Sequence, residues 1–211
     1  MATKEKSILE WIRKKLQEIT DSKIPESEKC DLIKEFSKEE GLGFTVQEAA
    51  GERVEPGIKV TSDNIGGWPM NCFAYALGLN EASIRDKYIK IRMDTGKFTN
   101  PDFMLDLIKK KHLKKLDLGE FLKNELWNLL STPPIVLYYN EKKPTHAGLW
   151  FIRDSKDSEK IIRSTWGNLG AIFEHKILHF PESHGQPQEY YQALSPEESL
   201  QYFYEYVNLK K

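Results

Sequence analysis

The stretch that decides the fold runs from Asn71 to Gly78 and reads NCFAYALG. It is almost wholly apolar and ends at glycine, the residue type that closes helices in the left-handed conformation. The residues before it, Asp63 to Pro69, are rich in Asp, Asn, Gly and Pro, which is typical of a turn. We therefore expect a helix that begins at Cys72.

The chain changes in character after Thr132-Pro133-Pro134. From there β-branched and aromatic residues dominate short segments, and polar connections such as NEKKP and RDSKDSE separate them. The pattern predicts an antiparallel sheet of about five strands in an α+β protein. The expected strands are Ile135 to Tyr139, His146 to Ile152, Lys160 to Thr165, Ala171 to Ile177 and Glu189 to Ala193.

Helical patterns surround these segments. The spacing of apolar residues predicts an amphipathic helix from Lys4 to Thr20 and a second one after Pro25. These two helices indicate an N-terminal extension, residues 1–56, ahead of a domain of residues 57–211, and we expect one compact unit. The other expected elements are a short strand from Gly57 to Ser62 and helices at 101–111, 118–130 and 196–206.

Composition argues against several classes of partner. With 31 basic and 32 acidic side chains the net charge is −1, so no long-range field favours nucleic acid or an anionic membrane. No stretch approaches the roughly 20 apolar residues of a membrane-spanning helix, and the first residues do not resemble a signal peptide. We expect a cytoplasmic protein, unless a dedicated secretion system exports it. Two cysteines, Cys30 and Cys72, in different surroundings argue against a disulfide.

Cys72 and His146 are the candidate catalytic pair. A thiol reacts as thiolate, and the free N–H groups and dipole of a helix start favour that anion. His146 begins a strand after a polar turn, where an imidazole can take the thiol proton and return it to a leaving group. The alternatives are a small core cysteine and a surface histidine.

At these residues the sequence resembles the papain-like cysteine hydrolases of the NlpC and CHAP kind, whose histidine segments look like HAGLWFI. Together with STWGNLG and Glu174-His175, the NCFAYALG block is similar to uncharacterised bacterial domains with an NC-x-A-x-A-L-G block. The resemblance covers roughly Asn64 to Tyr191. It implies a papain-like core, with Cys72 as nucleophile and His146 as general base. We expect no cofactor or metal.

The resemblance places a third, imidazole-orienting residue on the strand after the histidine, between Ile162 and Asn168. The sequence departs from the family there, because Arg163 and Ser164 hold the closest slots. Asn168 is our candidate, since its side-chain carbonyl can accept from the ring N–H. An Asn in a tight turn is the alternative, and Glu174 is the next candidate.

The oxyanion of acyl transfer needs hydrogen-bond donors. The backbone N–H of Cys72 is one, and Asn64 or Asn71 can add a side-chain amide, although Asn71 is equally well explained as a helix N-cap. Trp68 and Trp166 flank the two halves of the site in sequence, as cleft walls or as core residues. His175, His179 and His184 have irregular spacing, so we expect no metal site.

The sequence therefore predicts a cysteine hydrolase or acyl-transfer enzyme acting on a peptide or amide substrate, such as a protein, in the cytosol or as a delivered effector or toxin. The alternative is a catalytically inactive scaffold that serves as a protein-interaction module. A thiol redox protein would need Cys30 to resolve Cys72, and the chain has no C-x-x-C motif.

Overall fold

The computed structural model describes residues 2–39, 45–48, 71–117, 119, 132–152, 160–166 and 171–209. The expected strand at 57–62 and most of the expected helix at 118–130 lie outside these residues, as do Asn64, Trp68 and Asn168. Within the described part, no helix is both long and apolar enough to cross a membrane.

Six α-helices and six strands lie in the described residues. The helices are α1 (Ala2–Asp21), α2 (Glu26–Glu39), α3 (Cys72–Ala76), α4 (Arg85–Thr95), α5 (Pro101–Lys109) and α6 (Pro196–Leu209). The strands are β1 (Thr45–Glu48), β2 (Ile135–Asn140), β3 (Lys143–Ile152), β4 (Lys160–Thr165), β5 (Ala171–Lys176) and β6 (Gln186–Tyr191). A 3-10 turn at Glu182–His184 precedes β6.

The strands form one antiparallel sheet in the order β1-β5-β4-β3-β2-β6. The predicted α+β class and antiparallel sheet are confirmed. Two elements, β1 and α4, were not predicted from the sequence. Residues 45–48, which the sequence placed in the N-terminal extension without a strand, pair with β5. Helix α4 buries only Tyr88, so its charged sequence carries no apolar stripe.

Successive strand residues point to opposite sides of the sheet, and helices pack against both sides. On one side, here the Cys72 face, α3, α5 and α6 pack over Leu137, Ala147 and Leu149. On the other side, the His146 face, α1 and α2 pack over Val136 and Trp150. The N-terminal helices therefore complete the second hydrophobic core.

Gly148 sets how closely β3 and β4 approach. A Cβ built at this position would lie 2.5 Å from Ile162 Cγ2 and 3.1 Å from the Arg163 carbonyl oxygen. Both distances are shorter than ordinary packing allows. The absence of a side chain at Gly148 therefore allows β3 and β4 to pack closely against each other.

Candidate functional site

Cys72 is the first residue of α3, and Asn71 is the cap that fixes the helix start. The Asn71 Oδ1 accepts a hydrogen bond from the Ala74 N–H at 2.9 Å, and Asn71 Nδ2 donates to the Thr99 carbonyl at 2.6 Å. The Thr99 hydroxyl donates to Asn71 Oδ1 at 3.0 Å. Because its amide is used in this way, Asn71 acts here as the N-cap.

The sulfur of Cys72 lies beside β3, where backbone donors meet it. The Trp150 N–H donates to the Pro134 carbonyl on the β2 side at 2.8 Å, and N–H directions alternate along a strand. The Ala147 N–H therefore points towards β4, whose pairing with β3 ends at Leu149. Since β4 no longer pairs with β3 at Ala147, this N–H interacts with the Cys72 thiol instead of a β4 carbonyl.

Burial and backbone donors act on this thiol in opposite directions. Burial raises the pKa of Cys72, whereas the backbone N–H groups of Ala147, Phe73 and Cys72 itself lower it. Burial is the larger effect, and the resulting pKa is about 12. In this conformation the thiol is protonated at neutral pH.

The structure does not bring His146 to Cys72. Its ring, 1% exposed, lies on the His146 face, stacked on His184 with centroids 3.8 Å apart and near Tyr138 at 5.3 Å. Its Nε2 has no hydrogen-bond partner in the described part of the chain. Burial, with the neighbouring His184 and His175, holds the pKa of His146 well below its usual range.

Glu174 and Trp166 take roles other than those expected of a catalytic cleft. Glu174 is buried on the Cys72 face and forms an ion pair with Arg163, whose guanidinium lies 4.2 Å from the Phe151 ring centroid. Trp166 is fully buried and stacks on Phe173 at 4.1 Å, in the core of the His146 face. It therefore does not line the surroundings of Cys72.

A buried polar pair on the His146 face was not predicted from the sequence. Ser164 Oγ and His175 Nε2 are 3.0 Å apart, and His175 Nδ1 lies 2.8 Å from the Lys176 carbonyl oxygen. A carbonyl only accepts, so Nδ1 carries the proton and Ser164 donates to Nε2. Trp166 Nε1 donates to Ser164 Oγ at 3.0 Å. The sequence signal was the alternation of His175 with Phe173, which places both on one buried face.

The described residues contain no group of three or more His, Cys, Asp or Glu side chains placed to hold a metal ion. Comparison with family models, with curated proteins and with solved structures gave no match to this chain. The geometry around Cys72 is therefore the basis for assigning a function to this chain.

Proposed function

We propose that the chain is a papain-like cysteine hydrolase or acyl-transfer enzyme with Cys72 as nucleophile. The supporting observation is that the backbone N–H groups of Ala147, Phe73 and Cys72 itself act on the Cys72 thiol at a capped helix start and lower its pKa against the effect of burial. Such donors stabilise a thiolate and the oxyanion that forms when it attacks a carbonyl. The helix also packs against the strand that carries His146, as in the layout expected from the resemblance.

In this proposal His146 is the general base, and the conformation in which His146 stacks on His184 is a resting state. The β2–β3 register shifts between Tyr138 and Tyr139, so that Thr145 is an extra residue directly before His146. Strand side chains alternate, and moving this bulge past His146 would turn the imidazole to the Cys72 face. There it would take the thiol proton, and the thiolate would attack the carbonyl carbon of the substrate. The C–N bond would break as the thioester forms, with the imidazolium giving its proton to the leaving amine, and water would then hydrolyse the thioester to a carboxylic acid and the free thiol.

A second candidate, a papain-like scaffold that binds a partner without catalysis, is favoured by a different observation. In the described conformation the sheet separates Cys72 from His146, and burial raises the pKa of the thiol to about 12. A thiol held in this state is a poor nucleophile.

Alkylation of Cys72 against pH distinguishes the two candidates. Cys30 is replaced by serine, so that intact-mass spectrometry after iodoacetamide treatment reports Cys72 alone. If Cys72 is a catalytic nucleophile, we expect its apparent pKa to lie below the ordinary value of about 8.5, because the probe reacts with the conformation in which His146 has taken the thiol proton. We also expect that pKa to rise in His146→Ala.

His112→Ala is the matched control, because His112 lies away from His146, after the end of α5, where it stacks on Tyr202 of α6 with centroids 3.9 Å apart. It should leave the Cys72 profile unchanged. A Cys72 pKa near 12 in the parent protein, in His146→Ala and in His112→Ala would overturn the proposal of an enzyme and favour the binding scaffold.

A further inference from the structure

Helix α1 is tied to the segment from Phe180 to Gly185. Arg13 donates to the carbonyls of Glu182 at 3.1 Å and Gly185 at 2.6 Å, and its guanidinium lies 4.6 Å from the Phe180 ring centroid. One turn later, Gln17 Oε1 accepts from the Ser183 N–H at 3.0 Å. These contacts, here called the α1 clamp, hold the N-terminal helices over the His146 face.

Two stacked imidazoles lie directly under the α1 clamp. His184 belongs to the clamped turn, and its ring is nearly parallel to that of His146, at 13° with centroids 3.8 Å apart. Thr145 Oγ1 donates to the His184 carbonyl at 2.7 Å, which fixes the turn on β3. In the described residues, His146 Nε2 and His184 Nδ1 are buried without hydrogen-bond partners. The stacked pair is therefore stable only while both rings are neutral.

The groups that face the stacked pair do not compensate a positive charge. Arg13 approaches from α1 as a cation, and His175 from β5 is a buried neutral ring. Tyr138 from β2 contacts His146 with its ring. The carboxylates of Glu10 and Glu182 act on Arg13, at the surface. A proton on either ring would thus be placed beside like charge, in an apolar setting.

We propose that the α1–α2 hairpin is an acid-released cap, in which protonation of the stacked His146–His184 pair breaks the α1 clamp and frees α1 from the sheet. The helices on the Cys72 face stay in place, because their core is built on the opposite side of the sheet. This release does not depend on whether Cys72 is catalytic.

The direction of the pH dependence follows from linkage. Burial, with His175 and Arg13 nearby, lowers the pKa of His184 to about 3, and burial holds the pKa of His146 well below its usual range. A released hairpin restores both towards about 6.5. The closed state therefore keeps its full stability above pH ~6.5 and loses it as pH falls. The opening constant rises about tenfold per pH unit for each proton taken up, hence about 100-fold for two.

Hydrogen–deuterium exchange of the full chain between pH 7.5 and 5 tests the cap. Exchange is corrected for the intrinsic rate at each pH, and peptides of α1 are compared with peptides of α6. In the wild type we expect α1 opening to rise about 100-fold per pH unit below ~6.5 while α6 stays protected. His184→Phe keeps the stacked ring and removes one titrating group, so its slope should fall to about tenfold per pH unit.

The matched control is His112→Phe, the same substitution in a stacked pair on the other face, and it should respond like the wild type. An α1 slope in His184→Phe equal to that of the wild type would overturn the proposal, as would simultaneous loss of α1 and α6 protection. Should His184→Phe not fold, NMR titration of the wild-type rings decides. Ordinary titration of His184 with α1 still protected would refute the cap.

Discussion

Asn71→Ala should destabilise the protein more than removal of an ordinary helix cap. Asn71 caps α3 through the Ala74 N–H, donates to the Thr99 carbonyl and accepts from the Thr99 hydroxyl. Thr99 is fully buried, and its hydroxyl also lies 3.0 Å from the Tyr88 hydroxyl oxygen. Alanine therefore removes the side-chain donor to the buried Thr99 carbonyl and one of the two partners of the Thr99 hydroxyl.

The magnitude follows from these contacts. Loss of a capping side chain costs about 1 kcal/mol, and each of the other two hydrogen bonds contributes about 1 kcal/mol. We expect the free energy of unfolding to fall by about 3 kcal/mol in Asn71→Ala. Asn100→Ala is the matched control, because Asn100 caps α5 through the Phe103 N–H at 2.9 Å. That variant should lose about 1 kcal/mol.

Urea denaturation followed by circular dichroism measures both variants. The midpoint should move in proportion to the loss, with an unchanged dependence on urea concentration, since the surface exposed on unfolding is the same. Asn71→Asp keeps the two acceptor contacts and loses the donor to Thr99, so it should fall between wild type and Asn71→Ala. Equal losses in Asn71→Ala and Asn100→Ala would refute the role given to the Thr99 contacts.

Two further changes test other parts of the structure. Gly148→Ala should cost about 1–3 kcal/mol from overpacking, since its methyl would meet Ile162 at 2.5 Å; thermal unfolding no different from wild type would show that β3 and β4 can separate. Burial opposes ionisation of Glu189, yet hydrogen bonds from Lys115, Tyr139 and Tyr191 hold its pKa below the ordinary value. Its contribution to stability is therefore present above the unfolded pKa and lost as pH falls. Tyr139→Phe should raise that pKa and cost about 1 kcal/mol at neutral pH, less at pH ~3; an NMR titration of Glu189 identical to wild type would contradict the assignment.

Local sequence was sufficient for the elements whose signals are strong. The apolar run ending in Gly78 predicted the helix that begins at Cys72, and Asn71 was already a candidate N-cap, which the structure shows it to be. The strands from Ile135 onward followed from β-branched and aromatic residues between polar turns. Helix α4 gave no such signal, because its burial depends on a single residue, Tyr88, packing against α6 at Phe203.

The sequence by itself determined the class of fold and the place of Cys72 at a helix start, since both depend on contacts between residues close in the chain. Only the tertiary structure decided which way His146 faces. In HAGLWFI, both alternate sets, His146 with Trp150 and Ala147 with Leu149, are apolar enough to be buried, because helices cover both sides of the sheet. Alternation shows that the side chains of His146 and Ala147 point to opposite faces of the sheet. Which of these faces α3 covers is decided by packing across the whole sheet.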